Sequence, residues 1–93
     1  MTVDAETARD AELVDRWIRF YAGRPAPDEA RLEEYGTPIW ALIGHLPAAG
    51  GDIALVAEDY QLPLEAVEAA VAYYRGHQLA IDAKLAANAA YST

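Results

Sequence analysis

Two histidines and one pair of adjacent acids are the side chains in this 93-residue sequence whose chemistry could serve catalysis or metal binding. His45 and His77 are 32 residues apart, and neither has a partner at the spacing that places two metal ligands on one helical turn. Glu58 and Asp59 are adjacent, so their carboxylates point in different directions on a helix and make a poor acid–base pair. With no cysteine present, the sequence predicts no catalytic residue, no metal site and no cofactor.

Charge and length narrow the functional classes further. The chain has 7 Lys and Arg against 15 Asp and Glu, a net charge of −8, which disfavours phosphate binding and therefore direct contact with nucleic acid. Its length suits one domain. There is no apolar run of about 20 residues, and the N-terminus is acidic where a signal peptide is basic and then apolar. We therefore expect a cytoplasmic protein without membrane contact.

An amphipathic helix is expected near the N-terminus, over residues 4–21. Val14, Trp17, Ile18 and Tyr21 recur at spacings of three and four, which places them on one stripe. One glycine and two prolines within residues 23–27 then end the helix. The sequence thus divides into an arm with its linker, residues 1–27, and a domain, residues 28–93.

The centre of the chain predicts three further helices and no strand. A short helix is expected at residues 28–35. Thr37, as N-cap, and Pro38, at the first helical position, should begin an apolar core helix. Asp52 should cap the next helix, residues 53–60.

The last helix begins at Leu64, and the sequence leaves its length open at Gly76, which costs about 1 kcal/mol in a helix interior. Apolar and amide side chains continue at alternating spacings of four and three across the glycine, which favours one long helix to about residue 89. Its far end either projects as a partner surface or packs back on the N-terminal helix.

Residues 53–71 match a helix-turn-helix, with a helix of eight residues, a turn of about three and a second helix. Ala57 is small where the helices would cross, and Leu62 would anchor the turn in the core. The outward positions of the second helix carry no base-reading group; they are Glu65, Ala66, Glu68, Ala69 and Ala72. Between residues 36 and 74 there are five acids and no Lys or Arg, so direct DNA reading is disfavoured.

Aromatic and apolar side chains supply candidates for a partner or dimer interface. Tyr73 and Tyr74 are adjacent and cannot both face inward on one helix. The predicted interface comprises Trp17, Phe20, Tyr21, Tyr73, Tyr74, Gln78, Ile81 and Leu85. For the aromatic residues of the arm, packing into the core and packing across subunits remain equally open.

Three stretches, residues 36–42, 51–60 and 62–74, together resemble the domain-of-unknown-function family numbered 433. The most specific parts are "EDY" at residues 58–60 and "VEAAVAYY" at residues 67–74. The resemblance implies an all-helical, helix-turn-helix-related and often dimeric domain, similar to prokaryotic antitoxins that pair with small PIN-like ribonuclease toxins. The N-terminal portion departs from the family, whose entry is hairpin-like and rich in Gly, Arg and Ile.

These observations predict an all-α domain with an N-terminal amphipathic helix, a helix-turn-helix-like unit and a long C-terminal helix. The expected function is protein interaction, as a homodimer and antitoxin-like partner that neutralises a PIN-like toxin without catalysis. The alternative is a DNA-binding transcriptional regulator that uses residues 53–74.

Overall fold

The computed structural model describes residues 5–20 and 26–91, which form five α-helices and one small antiparallel sheet. The elements are α1 (Ala5–Trp17), β1 (Ile18–Arg19), β2 (Arg31–Leu32), α2 (Ile39–His45), α3 (Ile53–Tyr60), α4 (Leu64–Gly76) and α5 (Gln78–Tyr91). The predicted all-α class is confirmed. Within the described ranges, no helix has both the length and the apolar character needed to cross a membrane.

Helix α1 is shorter than predicted, because the chain leaves the helix after Trp17 and becomes extended. Ile18 of β1 pairs with Leu32 of β2, and both side chains are buried. The β-branched Ile18 suits a strand, and its burial beside Leu32 accounts for the change in conformation. The expectation that the chain contains no strand is therefore wrong, and the predicted end of the helix at Tyr21 lies outside the described residues.

The prediction of a short helix at residues 28–35 is also wrong. A single 3-10 turn at Pro27–Glu29 is followed directly by β2. The backbone here bonds to the next segment: the Leu32 amide donates to the Thr37 carbonyl at 2.9 Å, and the Ile39 amide donates to the Ala30 carbonyl at 3.0 Å.

These bonds explain why α2 begins without the predicted cap. Pro38 is extended and stands in the N-cap position, and no side chain caps the helix. The first helical amide, that of Ile39, finds its acceptor in the chain before β2. Backbone pairing has replaced the role expected of the Thr37 hydroxyl.

The helix-turn-helix unit forms as predicted, with α3 and α4 joined by residues 61–63. Asp52 caps α3, and its carboxylate accepts from the amides of Ala54 at 2.9 Å and Leu55 at 3.4 Å. Gln61 takes the left-handed conformation, with φ +56°, where glycine is common. Leu62 is half-buried and packs on the core, as expected.

The helix that begins at Leu64 does not continue through Gly76, and the chain forms two separate helices there. Gly76 ends α4, and His77 leaves helical geometry at φ −140° before α5 starts at Gln78. Both helices nevertheless supply the same core, since Tyr73 before the break and Ile81 after it are buried. The periodicity thus continues across the break, because the two helices share one interior.

The predicted arm packs closely on the body, chiefly through α1 against α4. Leu13 and Ile18 belong to the same buried cluster as residues of α2, α3, α4 and α5. At the opposite side α5 approaches α2 closely: a Cβ at Gly44 would lie only 2.9 Å from Cδ2 of Leu85. Glycine at this position therefore leaves room for the Leu85 side chain in its present rotamer.

Candidate interaction surfaces

The outer face of α4, which a DNA-binding helix-turn-helix presents to the major groove, is covered by α1. Four ion pairs join the described residues of the two helices. They are Arg9–Glu68 at 3.1 Å, Arg16–Glu65 at 2.5 Å, Arg75–Asp10 at 2.8 Å and Arg75–Glu6 at 4.0 Å. Low residue numbers on α1 meet high numbers on α4, so the helices run antiparallel.

The alanines predicted to point outward from α4 are instead buried. Ala66 and Ala69 are 0% exposed and Ala72 is 5% exposed. Glu65, Ala69 and Ala72 share a stripe at spacings of four and three, and small side chains on such a stripe allow another helix to approach. The expectation of an outward alanine face is corrected, and a duplex could not reach this face while α1 is in place.

Two of the predicted interface residues belong to the core. Tyr73 is 2% exposed and Ile81 is 0% exposed. The Tyr73 hydroxyl donates to the Pro27 carbonyl at 2.6 Å, and burial, followed by the charge of Asp28, raises the pKa of this phenol. Both side chains therefore pack inside the described chain, and their predicted role in a partner or dimer interface stays a prediction.

The adjacent tyrosine packs against the core cluster but is less enclosed than Tyr73. Tyr74 is half-buried, and its hydroxyl donates to the Asp82 carboxylate at 2.8 Å. This hydrogen bond is the main reason that the pKa of Tyr74 is raised. Tyr74 thus links the end of α4 to the second turn of α5.

The aromatic residues of the arm divide between core and surface. Trp17 is half-buried, packs against the core and stacks on Tyr35 with ring centroids 6.4 Å apart. Phe20 is 47% exposed and places its ring edge-on to Tyr73 at 6.4 Å. Tyr21, the third member of the predicted set, lies outside the described residues.

The two remaining candidates on α5 differ in the same way. Gln78 is exposed, whereas Leu85 is half-buried and packs on the core against Gly44. The seam that the sequence predicted for a partner therefore faces mainly inward. Leu79 of this helix is 88% exposed, and the sequence analysis did not select it.

A groove of about 730 Å³ lies between α1 and the C-terminal end of α4. Val14, Ala72 and Tyr73 line its apolar part. Three acids of α1 also line it, namely Glu6, Asp10 and Asp15. We name this feature the α1–α4 groove.

The groove was missed at the sequence level, although a signal was present. Thr7, Ala11 and Val14 line it from one face of α1 at spacings of four and three. His77 closes the end and stacks on Tyr73 with centroids 4.0 Å apart. The small residues on α1 leave room that larger ones would fill.

The two histidines and Asp59 make contacts that join neighbouring segments. His45 bonds through Nε2 to Asp59 at 2.8 Å and packs edge-on to Tyr60, with ring centroids 5.4 Å apart, which ties α2 to α3. His77 bonds through Nδ1 to the Tyr73 carbonyl at 3.0 Å. Across residues 5–20 and 26–91, no three His, Cys, Asp or Glu side chains group as metal ligands.

Comparison of the chain with protein-family models, curated proteins and solved structures found no match. The resemblance to family 433 therefore stays a prediction.

Proposed function

We propose that this protein is a small protein-interaction module, the antitoxin-like partner of a PIN-like ribonuclease toxin, which it binds and neutralises without catalysis. The observation that carries the proposal is the closure of the outer face of α4 by α1. Arg9 and Arg16 of α1 are already paired with Glu68 and Glu65 of α4. A helix-turn-helix unit covered in this way still packs α3 and α4 into the core. The surfaces that α1 does not cover are available for a protein partner.

The charge of the chain supports a protein partner of opposite sign. A ribonuclease must attract phosphates with Lys and Arg, so its substrate-binding face is basic. A protein of net charge −8 is attracted to such a face, and this complementarity favours both association rate and specificity. Occupying that face would exclude the RNA substrate.

The test is co-expression with the product of the neighbouring gene. We expect the two proteins to elute together in size-exclusion chromatography and the ribonuclease activity to fall as this protein is added up to a molar equivalent. An unrelated acidic protein of similar size and charge is the control, and it should leave the activity unchanged. A neighbouring nuclease that elutes separately and stays active would refute the proposal.

The helix-turn-helix unit itself favours one second candidate, a DNA-binding regulator. Binding through α4 would require α1 to leave and Glu65 and Glu68 to face phosphates, which they repel. Fluorescence anisotropy with the protein's own promoter at about 50 mM salt decides the matter, since phosphate contacts are strongest at low salt. A saturable signal that weakens steeply with added salt would support the regulator.

The homodimer and the cytoplasmic location expected from the sequence stay predictions. Light scattering on the purified chain tests the first. A mass of twice 10.1 kDa is the expected result.

A further inference from the structure

We propose that the α1–α4 groove is the docking site for a basic amphipathic helix of a protein partner. This inference rests on the proposed function, because it assumes that the chain binds a protein. It adds the location of the binding site and the chemical character of the segment that binds there.

The groove has the shape and lining that such a helix requires. Its volume is about 730 Å³, comparable with that of clefts that hold small ligands. The exposed Ala11 and the half-buried Val14 of α1 provide its accessible apolar surface, and the buried Ala72 and Tyr73 form the floor beneath them. Such a surface can contact the apolar face of an amphipathic helix. The exposed ring of Phe20 lies edge-on to Tyr73 and extends the apolar surface beyond the groove.

The charges along the groove select a basic occupant. Glu6, Asp10 and Asp15 line it from α1, and Arg75 is its one Lys or Arg. Arg75 bonds to both carboxylate oxygens of Asp10, at 2.8 and 2.9 Å, and lies 4.0 Å from the Glu6 carboxylate, so its one positive charge offsets one of the three negative charges. The local potential is therefore negative, which attracts Lys and Arg and repels phosphate or acidic segments.

The contact between α1 and α4 shows which arrangement of side chains on a neighbouring helix pairs with the glutamates of α4. Arg9, Leu13 and Arg16 stand at positions i, i+4 and i+7 of α1, with Leu13 buried and both arginines paired to glutamates of α4. A basic–apolar–basic face thus already docks on this helix. A partner helix with the same face, laid along the opposite side of α1, would meet the apolar lining and the three acids of the groove.

The probe is a fluorescein-labelled peptide of 14 residues that carries Lys, Leu and Lys in this spacing on one face. A second peptide with Glu in place of each Lys keeps the apolar content and reverses the charge. Anisotropy is measured with the full chain at about 50 mM salt. We expect saturable binding of the lysine peptide and no binding of the glutamate peptide.

Two charge variants locate the binding site. Asp15→Lys changes a residue that lines the groove, and Glu58→Lys makes the same type of charge change at an exposed residue of α3 outside it. We expect Asp15→Lys to weaken binding of the lysine peptide about fivefold or more and Glu58→Lys to weaken it less than about twofold. Equal weakening by both variants, or equal binding of both peptides, would overturn the proposal. Circular dichroism on each variant verifies that the helices are retained.

The same two variants separate this inference from the proposed function. If the neighbouring nuclease is neutralised equally well by wild type and Asp15→Lys, the groove is not the docking site, although protein binding stands. If no partner is neutralised but the lysine peptide responds as expected, the proposed toxin pairing is wrong and the groove assignment is supported.

Discussion

The clearest prediction concerns Ile81 and Leu79, two apolar residues of α5 that the structure places in opposite environments. Ile81 is 0% exposed and Leu79 is 88% exposed. Replacing Ile81 by alanine removes three carbon atoms from the core, a loss of about 2.4 kcal/mol at about 0.8 kcal/mol per methylene. The unfilled cavity raises the cost, so we expect the free energy of unfolding to fall by about 2–5 kcal/mol. Leu79→Ala should cost less than about 0.5 kcal/mol.

Urea denaturation followed by far-UV circular dichroism measures both variants, at two protein concentrations tenfold apart. If Ile81 lies in the core, its effect is the same at both concentrations. A loss that changes with concentration would place Ile81 in a subunit interface, as the sequence pattern first indicated. Equal effects of the two variants would also refute the structural reasoning. Ile81→Val, with an expected cost of about 0.5–1.5 kcal/mol, provides a milder variant if the alanine form does not fold.

Four further predictions follow from single features of the fold. Gly76→Ala should stabilise the protein by about 0.5–1 kcal/mol, because the residue is helical and a Cβ there has no neighbour within 4 Å. Asp52→Ala should cost about 1 kcal/mol, because the capping bonds to α3 are lost. Ala69→Leu should cost about 1–3 kcal/mol by overpacking a fully buried site. The pKa of Tyr73 is raised by burial and by Asp28, so stability should be retained below the unfolded value of about 10 and fall as the pH rises through the folded pKa. Tyr73→Phe should reduce that alkaline loss.

Urea denaturation tests each of these variants, and each has a result that would contradict it. If Gly76→Ala lowered the free energy of unfolding, neighbouring atoms would have to lie closer to residue 76 than the structure shows. A neutral Ala69→Leu would mean that α1 does not cover α4 in solution. An Asp52→Ala variant as stable as wild type would exclude the cap. An alkaline profile unchanged by Tyr73→Phe would assign the loss to other groups.

Local rules were sufficient for the part of the chain where the contacts are local. The cap at Asp52, the eight residues of α3 and the turn before α4 were all predicted correctly, because capping and helix–turn–helix packing depend on neighbours in sequence. The surplus of acids over bases was equally visible from composition. These features required no knowledge of which distant segment each element contacts.

Errors arose where a distant segment decided the conformation. The periodicity of α1 continues through Ile18, but pairing with Leu32, which is 14 residues away, makes Ile18 extended. The cap expected of Thr37 was displaced by backbone bonds to the segment at β2. Across Gly76 the spacing of four and three persisted, and it concealed the break because α4 and α5 face one interior.

The alanines of α4 show why a helix-turn-helix unit alone does not define a function. In a DNA reader the outward positions of the second helix carry long polar side chains that reach base edges. Alanine lacks those groups, but its small volume lets another helix approach closely. Because Ala69 and Ala72 are buried, and the glutamates beside them pair with arginines of α1, the residues that make α4 a poor reader of DNA also make it a good platform for a helix. The acids that would repel a duplex, Glu65 and Glu68, pair with α1 instead.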